Sequence, residues 1–269
     1  MKWKNIHKNA YKWWIYTFLA AVLIVSFLTQ SVFSAGESFS WYCKRNKEHT
    51  QMIADENMNF IEKYDGYYVD KKHGDSDKEK VVYLTFDAGY ENGNVTKILD
   101  VLKEENVPGA FFILGHLIER NTDVVERMAN EGHLVCNHTA HHHDMSRVSS
   151  KGEFERELKS LEKLYIEKTG KELSKYYRPP EGRFSEKSMQ YAKDLGYKTI
   201  FWSIAYADWD NEKQMAEDKA KEKILENLHN GAVILLHPTS ETNARILKDL
   251  IREIKVSGYR FGTLDELTT

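Results

Sequence analysis

The sequence predicts an α/β fold, an incomplete and distorted barrel of about seven parallel strands ringed by helices. Three observations lead there. From about residue 80 onward, helical and strand-like periodicities alternate at a spacing that leaves a helix between successive strands. Residues 81–86, VVYLTF, make the nearly unbroken β-branched and aromatic run that a parallel strand covered on both faces requires. That run stops on Asp87 and the turn AGYENG, which delivers a carboxylate to the C-terminal rim, where loops vary without disturbing the packed layers beneath. A chain of 269 residues, 41% of them hydrophobic, suffices for one core of this kind.

The chain divides into a targeting segment (1–35), an N-terminal extension and linker (36–79) and a catalytic domain (80–269). Lys2, Lys4, Lys8 and Lys12 precede an uncharged run over 13–35, whose most apolar part, 13–28, is 16 residues long. This is a signal peptide or a membrane anchor: Val32-Phe33-Ser34 permits cleavage, and the run is nearly long enough to span a bilayer. The basic flank keeps the N-terminus in the cytoplasm and puts the remainder outside. Without the segment, 34 basic residues face 41 acidic ones, which argues against a nucleic-acid partner. Two cysteines, Cys43 and Cys136, do not make a disulfide framework, and Cys136 reads as a small buried hydrophobe in a strand.

Residues 36–79 are expected to pack outside the main domain, with a helix over 52–64, a short extended piece at 67–69 and a solvated charged linker, DKKHGDSDKEK, at 70–80. Beyond them, helices are predicted at 94–105, 123–130 and 154–169. In the last of these Phe154, Leu158, Leu161 and Tyr165 share a face and Gly170 is the stop. Ser185 caps a helix that Gly196 ends. Residues 216–228 carry Ala216, Ala220, Ile224 and Leu228 at four-residue spacing, and Leu247, Leu250, Ile251 and Ile254 face one way before Gly258. The strands between are 81–86, 109–114, 134–137, 175–178, 197–203, 231–236 and 259–263.

Five strand ends carry ionisable groups: Asp87, His138 with His142, Arg178, Asp208 beside Trp209, and His237. One such residue is commonplace, and Asp87 alone could simply cap the next helix. Five converging on one rim look like a catalytic floor. His138 and His142, four residues apart on one helical turn, would face the same way and chelate a divalent ion such as Zn²⁺. The alternative for HTAHHH is a histidine-rich surface turn. On the chelating reading, His141 and His143 point elsewhere.

TFDAGYENG, HTAHH, RPPEG, ADW and LLH follow in the order and approximate spacing of the five motifs of the polysaccharide deacetylases, the NodB-type carbohydrate esterases, which the chain resembles over about 81–267. EKYDGYYV at 62–69, GYENG and FWSIAYADW look like the sporulation branch of that family, the delta-lactam-biosynthetic de-N-acetylases of the spore cortex. The resemblance implies Asp87 as catalytic base, Arg178 as the residue that holds it, His138 and His142 as metal ligands, and His237 as general acid partnered by Asp208. It matches Trp209, Leu235 and Leu236 to the acetyl pocket and Pro180 of RPPEG to the substrate-binding positions. It also implies a divalent metal, Zn²⁺ by preference, that acidifies water and polarises the acetyl carbonyl. Asp87 would take the water's proton, and His237 would give one to the leaving amine.

Two positions depart from the family pattern. Ala88 stands where most members have an aspartate as third metal ligand. This predicts weaker metal binding, although the sporulation branch lacks that aspartate too. Glu181 stands where many members have tyrosine, which leaves a backbone N–H for an oxyanion. The implied substrate is N-acetylmuramic acid in peptidoglycan glycan strands, for muramic delta-lactam formation. The implied site of action lies outside the cytoplasmic membrane, with the protein secreted or anchored, at the developing spore. The alternatives are a de-N-acetylase of N-acetylglucosamine in peptidoglycan or chitin, an esterase of O-acetylated xylan, and an inactive cell-wall-binding module. Against the last stands the joint presence of Asp87, Arg178, Asp208 and His237, since a binding surface needs no complete acid and base pair.

Overall fold

The structure is a computed structural model that describes residues 37–44 and 47–269, so the targeting segment predicted at 1–35 lies outside the described residues. In chain order its strands are β1 (Phe39–Ser40), β2 (Gly66–Tyr67), β3 (Lys80–Ala88), β4 (Ala110–Ile113), β5 (Leu134–Asn137), β6 (Ser174–Tyr177), β7 (Arg183–Phe184), β8 (Lys198–Ile200), β9 (Ala232–Leu236) and β10 (Tyr259–Gly262). The main sheet runs β10-β3-β4-β5-β6-β8-β2, with β9 on β3 as well, and every one of these pairings is parallel. Strand β3 is the hub. Val82 pairs with both Phe261 and Ala232, and Phe86 with both Phe111 and Leu236, so β10 and then β4 share the edge opposite β9. Past β8 the chain turns back toward β9, where Ile204 bridges Ile234 and the Ser203 N–H donates to the Val233 carbonyl at 2.9 Å. The result is a half-barrel that contains the seven predicted parallel strands, extended at one end by β2.

The helices are α1 (Asn94–Glu105), α2 (Gly115–Arg120), α3 (Thr122–Asn130), α4 (Lys151–Thr169), α5 (Glu186–Asp194), α6 (Glu217–Leu225), α7 (Glu241–Val256) and α8 (Leu264–Leu267). Helix α4 buries Phe154, Leu158, Leu161 and Tyr165, starts where the Ser150 side chain accepts from the Glu153 N–H, and stops at Gly170 in the left-handed conformation. Helix α6 ends three residues before the predicted 228, yet Leu228 is still buried. At six residues α2 is too short to show a period, and the sequence gives no sign of it.

Alternation along β3 sorts its side chains into two layers. Val82, Leu84, Phe86 and Ala88 join the apolar cluster that includes α1 and α7, whereas Val81 and Tyr83 join Ala110, Phe112, Cys136 and Val233 inside the barrel. Asp87 shares the inward register and sits at the rim.

The expectation that residues 36–79 pack outside the main domain is corrected from Ser38 onward, which belongs to one compact unit with the rest up to Thr269. Strand β1 pairs antiparallel with β7, and β2 extends the main sheet. Trp41, Met52, Met58, Ile61 and Tyr68 pack with Phe184 and Phe201 in a separate cluster. Within it Trp41 stacks on Phe201 at 4.6 Å and donates from Nε1 to the Trp202 carbonyl at 2.8 Å. The predicted helix at 52–64 is a 3₁₀ helix over Glu56–Tyr64. In the charged stretch that follows, Asp70 is buried. It accepts from the Tyr83 hydroxyl, from the Lys72 N–H at 2.8 Å and from His73 Nδ1 at 2.7 Å. Among the described residues, no helix is long and apolar enough to cross a membrane.

Candidate active site

Arg178 follows β6 directly and is fully buried. Its Nη1 donates to Asp87 Oδ1 at 2.7 Å, Nη2 to Thr85 Oγ1 at 2.9 Å and to the Phe201 carbonyl at 3.3 Å, and Nε to the Ile200 carbonyl at 2.9 Å. The guanidinium lies 4.1 Å from the centroid of Phe112, with Trp202 at 5.6 Å. Only arginine offers a planar, permanently charged fork that can serve a carboxylate and three neutral acceptors from one buried position. Burial pushes the Asp87 carboxyl up, but the charge and hydrogen bond of Arg178, aided by His237 and, once it is protonated in acid, by His138, outweigh it and hold the group below the usual carboxylate range. Asp87 is thus ionised at neutral pH, with Oδ2 turned toward His138 Nε2 at 3.6 Å. It does not cap the next helix, because the N-cap of α1 is Gly93.

His237 follows β9 on the other side of β3. Its Nδ1 lies 2.7 Å from Asp208 Oδ1, and its backbone N–H donates to Asp208 Oδ2 at 2.8 Å. Asn243 Nδ2 donates to that same oxygen at 2.6 Å and to the His237 carbonyl at 3.0 Å. Burial pulls the imidazole's pKa down. The hydrogen bond and charge of Asp208, with Asp87 beyond, reverse this and raise it above the ordinary value. With Nδ1 committed to Asp208, Nε2 is the atom left to hold or release a proton.

His138 follows β5, is buried, and places Nδ1 2.8 Å from the Arg178 carbonyl, so the proton sits on Nδ1 and Nε2 keeps its lone pair. Burial lowers its pKa to about 4, which leaves it neutral at pH 7. The His142 ring stands 5.1 Å away, 70° out of plane. The pair meets, but not on the expected helical turn. Residues 138–144 contain no helix, and Thr139 (φ 72°) and His142 (φ 60°) are left-handed. The chain leaves β5 still bonded to β4, through the His138 N–H and the Ile113 carbonyl at 3.2 Å, and must reverse at once. Asn137 Oδ1 accepts from the Thr139 N–H and Thr139 Oγ1 from the His142 N–H, both at 2.9 Å, and these two bonds fix the reversal. Two imidazoles and a carboxylate are donor types that suit a borderline divalent ion such as Zn²⁺, although the ligand atoms of His138, His142 and Asp87 do not all stand within 4.8 Å of one another here. Ala88 adds no ligand and is fully buried in the helix-facing cluster.

Of the other predicted residues, Trp209 is 63% exposed, with its ring 6.2 Å from that of His237. Leu235 is buried next to that rim, whereas Leu236 packs into the helix-facing cluster one register on. Pro180 is buried in a tight turn with Glu181 and Gly182, both at positive φ. Gly182 is obligatory there, since a Cβ would lie 2.8 Å from the Trp202 ring and 3.2 Å from Trp41 Cβ. The Glu181 carboxylate is exposed and pairs with Arg183 Nε at 3.0 Å.

Sequence reasoning misses Thr85, Asn243 and Tyr206, whose hydroxyl donates to Asn243 Oδ1. A signal for Asn243 exists. It shares the buried stripe of Leu247, Leu250 and Ile254, where a lone amide has to find partners.

The chain is similar to known proteins over most of its length. The polysaccharide deacetylase family model matches residues 74–200. Peptidoglycan-N-acetylmuramic acid deacetylase PdaA of Bacillus subtilis is 39% identical over 257 residues, 95% of each chain. A peptidoglycan-N-acetylglucosamine deacetylase of Bacillus cereus is 32% identical over 235 residues, 84% of this chain and 82% of the other. The solved structure of B. subtilis PdaA, a family 4 carbohydrate esterase, superposes with a TM-score of 0.80 over 86% of this chain and 97% of that one.

Proposed function

Because the chain belongs to the polysaccharide deacetylase family, we propose that it hydrolyses the N-acetyl group of N-acetylmuramic acid in peptidoglycan glycan strands. The observation that carries this reading is a complete acid and base pair on one rim: an ionised Asp87 clamped by Arg178, and a proton-holding His237 clamped by Asp208. Asp87 takes the proton of the attacking water through Oδ2, while Arg178 fixes its other oxygen. His237 Nε2 delivers a proton to the departing amine, so acetate and a free amino sugar leave. His138 and His142 hold a divalent ion, with Zn²⁺ the expected one, which supplies Lewis acidity toward the acetyl carbonyl when bound. Leu235 and Trp209 border the acetyl group and sugar, and Pro180 shapes the wall opposite.

All of these groups lie within 80–269, the catalytic domain on this reading. The segment 1–35 exports or anchors the chain outside the cytoplasmic membrane. The amine set free on muramic acid is the group needed to close a muramic delta-lactam, and on this reading the activity belongs to the spore cortex. The full-length match to a muramic acid deacetylase supports that sugar, and the shorter match to a glucosamine deacetylase keeps the second sugar as the competing reading. Mass spectrometry of peptidoglycan, with and without peptide stems, after incubation with the purified chain and Zn²⁺ decides between them. Acetyl loss from muramic acid is expected. Loss from glucosamine alone would replace the sugar, and no loss from any strand would leave a wall-binding module.

The Asp208–His237 pair carries a prediction of its own. Asp208→Asn removes the charge that raises the imidazole, so the alkaline limb of the rate profile is expected to move to lower pH. His237→Ala should erase that limb, and the double variant should be little slower than His237→Ala alone. Rates against pH for the three variants test this, and an unmoved limb in Asp208→Asn would reduce Asp208 to a structural role.

A further inference from the structure

We propose that His141, His143 and Glu157 form a second divalent transition-metal site, on the outer side of the loop that carries His138 and His142. The loop sorts its four histidines into two pairs. The buried His138 meets His142, whereas His141 and His143, exposed like His142, stack on each other with ring centroids 5.4 Å apart and planes 23° from parallel. Against the outer pair stands Glu157, from the middle of α4, with its side chain 14% exposed. His141 Nδ1 is 2.9 Å and His143 Nδ1 3.3 Å from Glu157 Oε1, while the His141 N–H donates to Oε2 at 3.2 Å.

The His143 separation is already close to what a small ion needs, and the His141 one, now a hydrogen bond, has to open by about 0.5 Å. Ligand atoms about 2.1 Å from a tetrahedral ion stand about 3.4 Å from one another. This is the one group of three such residues, among those described, whose ligand atoms all lie within 4.8 Å of one another. Two imidazoles and a carboxylate select Zn²⁺ or a neighbouring first-row ion over Mg²⁺ or Ca²⁺, with water completing the shell. On binding, each Nδ1 presents its lone pair to the ion, and the ring proton moves to Nε2 or to solvent. The His141 N–H keeps Glu157 oriented through Oε2.

The site would act on the loop's conformation. Thr139 and His142 hold left-handed backbone, which is unfavourable for residues with a Cβ and persists only where its surroundings over-determine it. An ion bridging positions 141 and 143 to α4 ties down the segment between them, and with it His142. The inference does not depend on which sugar is deacetylated.

The test is equilibrium dialysis of the full chain against Zn²⁺ at neutral pH, with bound metal counted per chain. His141→Ala/His143→Ala is expected to bind one ion fewer than wild type, and Glu157→Gln to bind the outer ion at least tenfold more weakly. His143→Ala alone, which removes one exposed ligand, is the second variant. Loss of one ion with an unchanged melting temperature in chelator supports the site. Wild-type stoichiometry and affinity in both alanine variants would overturn it and leave His141, His143 and Glu157 as a plain imidazole–carboxylate cluster.

Discussion

Asp87→Asn is expected to cut deacetylation by at least a hundredfold while the chain stays folded. General-base catalysis contributes about 10²–10⁴ in rate, and asparagine keeps the shape of the side chain but cannot accept a proton. Its amide oxygen can still take the Arg178 Nη1 bond, so the rim keeps its geometry. The stability readout has a definite sign. The Asp87 carboxyl is held below its unfolded value of about 3.9, so its contribution is fully present above that pH and lost as pH falls through the folded value. Wild type should therefore melt above the variant at neutral pH, with the gap closing in acid. Rate measurements together with melting curves at several pH values check both parts. Activity within severalfold of wild type would remove Asp87 from the role of base.

Arg178→Met is the larger stability effect, with an expected loss of about 3–5 kcal/mol. Methionine fills much of the volume between Phe112 and Trp202. It leaves Asp87 without its counter-charge, and Thr85 Oγ1 and the carbonyls of Ile200 and Phe201 without their shared donor. Freed of Arg178, Asp87 titrates higher, so the acid limb of any residual activity should move up in pH. Adding Asp87→Asn should recover part of the stability, because the second change removes the charge the first leaves stranded. Urea denaturation of the two single variants and the double measures this. Strictly additive losses would mean that the pair does not act as a unit.

What could be read from the sequence follows from what each kind of residue depends on. The placement of Asp87, His138, Arg178 and His237 at strand ends was legible because a strand's limits depend on its own composition, and parallel strands between helices have their C-terminal ends on one rim. The His138–His142 pairing was legible, but its mechanism was not. Spacing alone suggests a helix, whereas Asn137 and Thr139 impose a left-handed turn through side-chain bonds that no period records. The packing of residues 38–70 was hidden for another reason. Trp41, Phe60 and Tyr68 follow neither period and are fixed by partners far along the chain, such as Phe184 and Phe201. Asp70 likewise reads as one more charge in an acidic and basic run until Tyr83 covers it.

That aromatic seam sets the order in which the protein can be completed. The bond between Trp41 and Trp202 spans 161 residues, and β1 has to wait for β7. Synthesis runs from the N-terminus, so Trp41, Phe60 and Tyr68 emerge first and remain without their partners until most of the barrel has been made. During that interval a greasy, strand-forming segment is open to solvent and to other chains, which is the condition under which nascent proteins aggregate. The turn holding Pro180 and Gly182 packs against Trp41 and Trp202, so this part of the rim reaches its final shape only when the segment around Trp41 closes over it. Chains released before β8 and Phe201 are made would lack β8, β9 and β10 and would leave Trp41, Phe60 and Tyr68 uncovered.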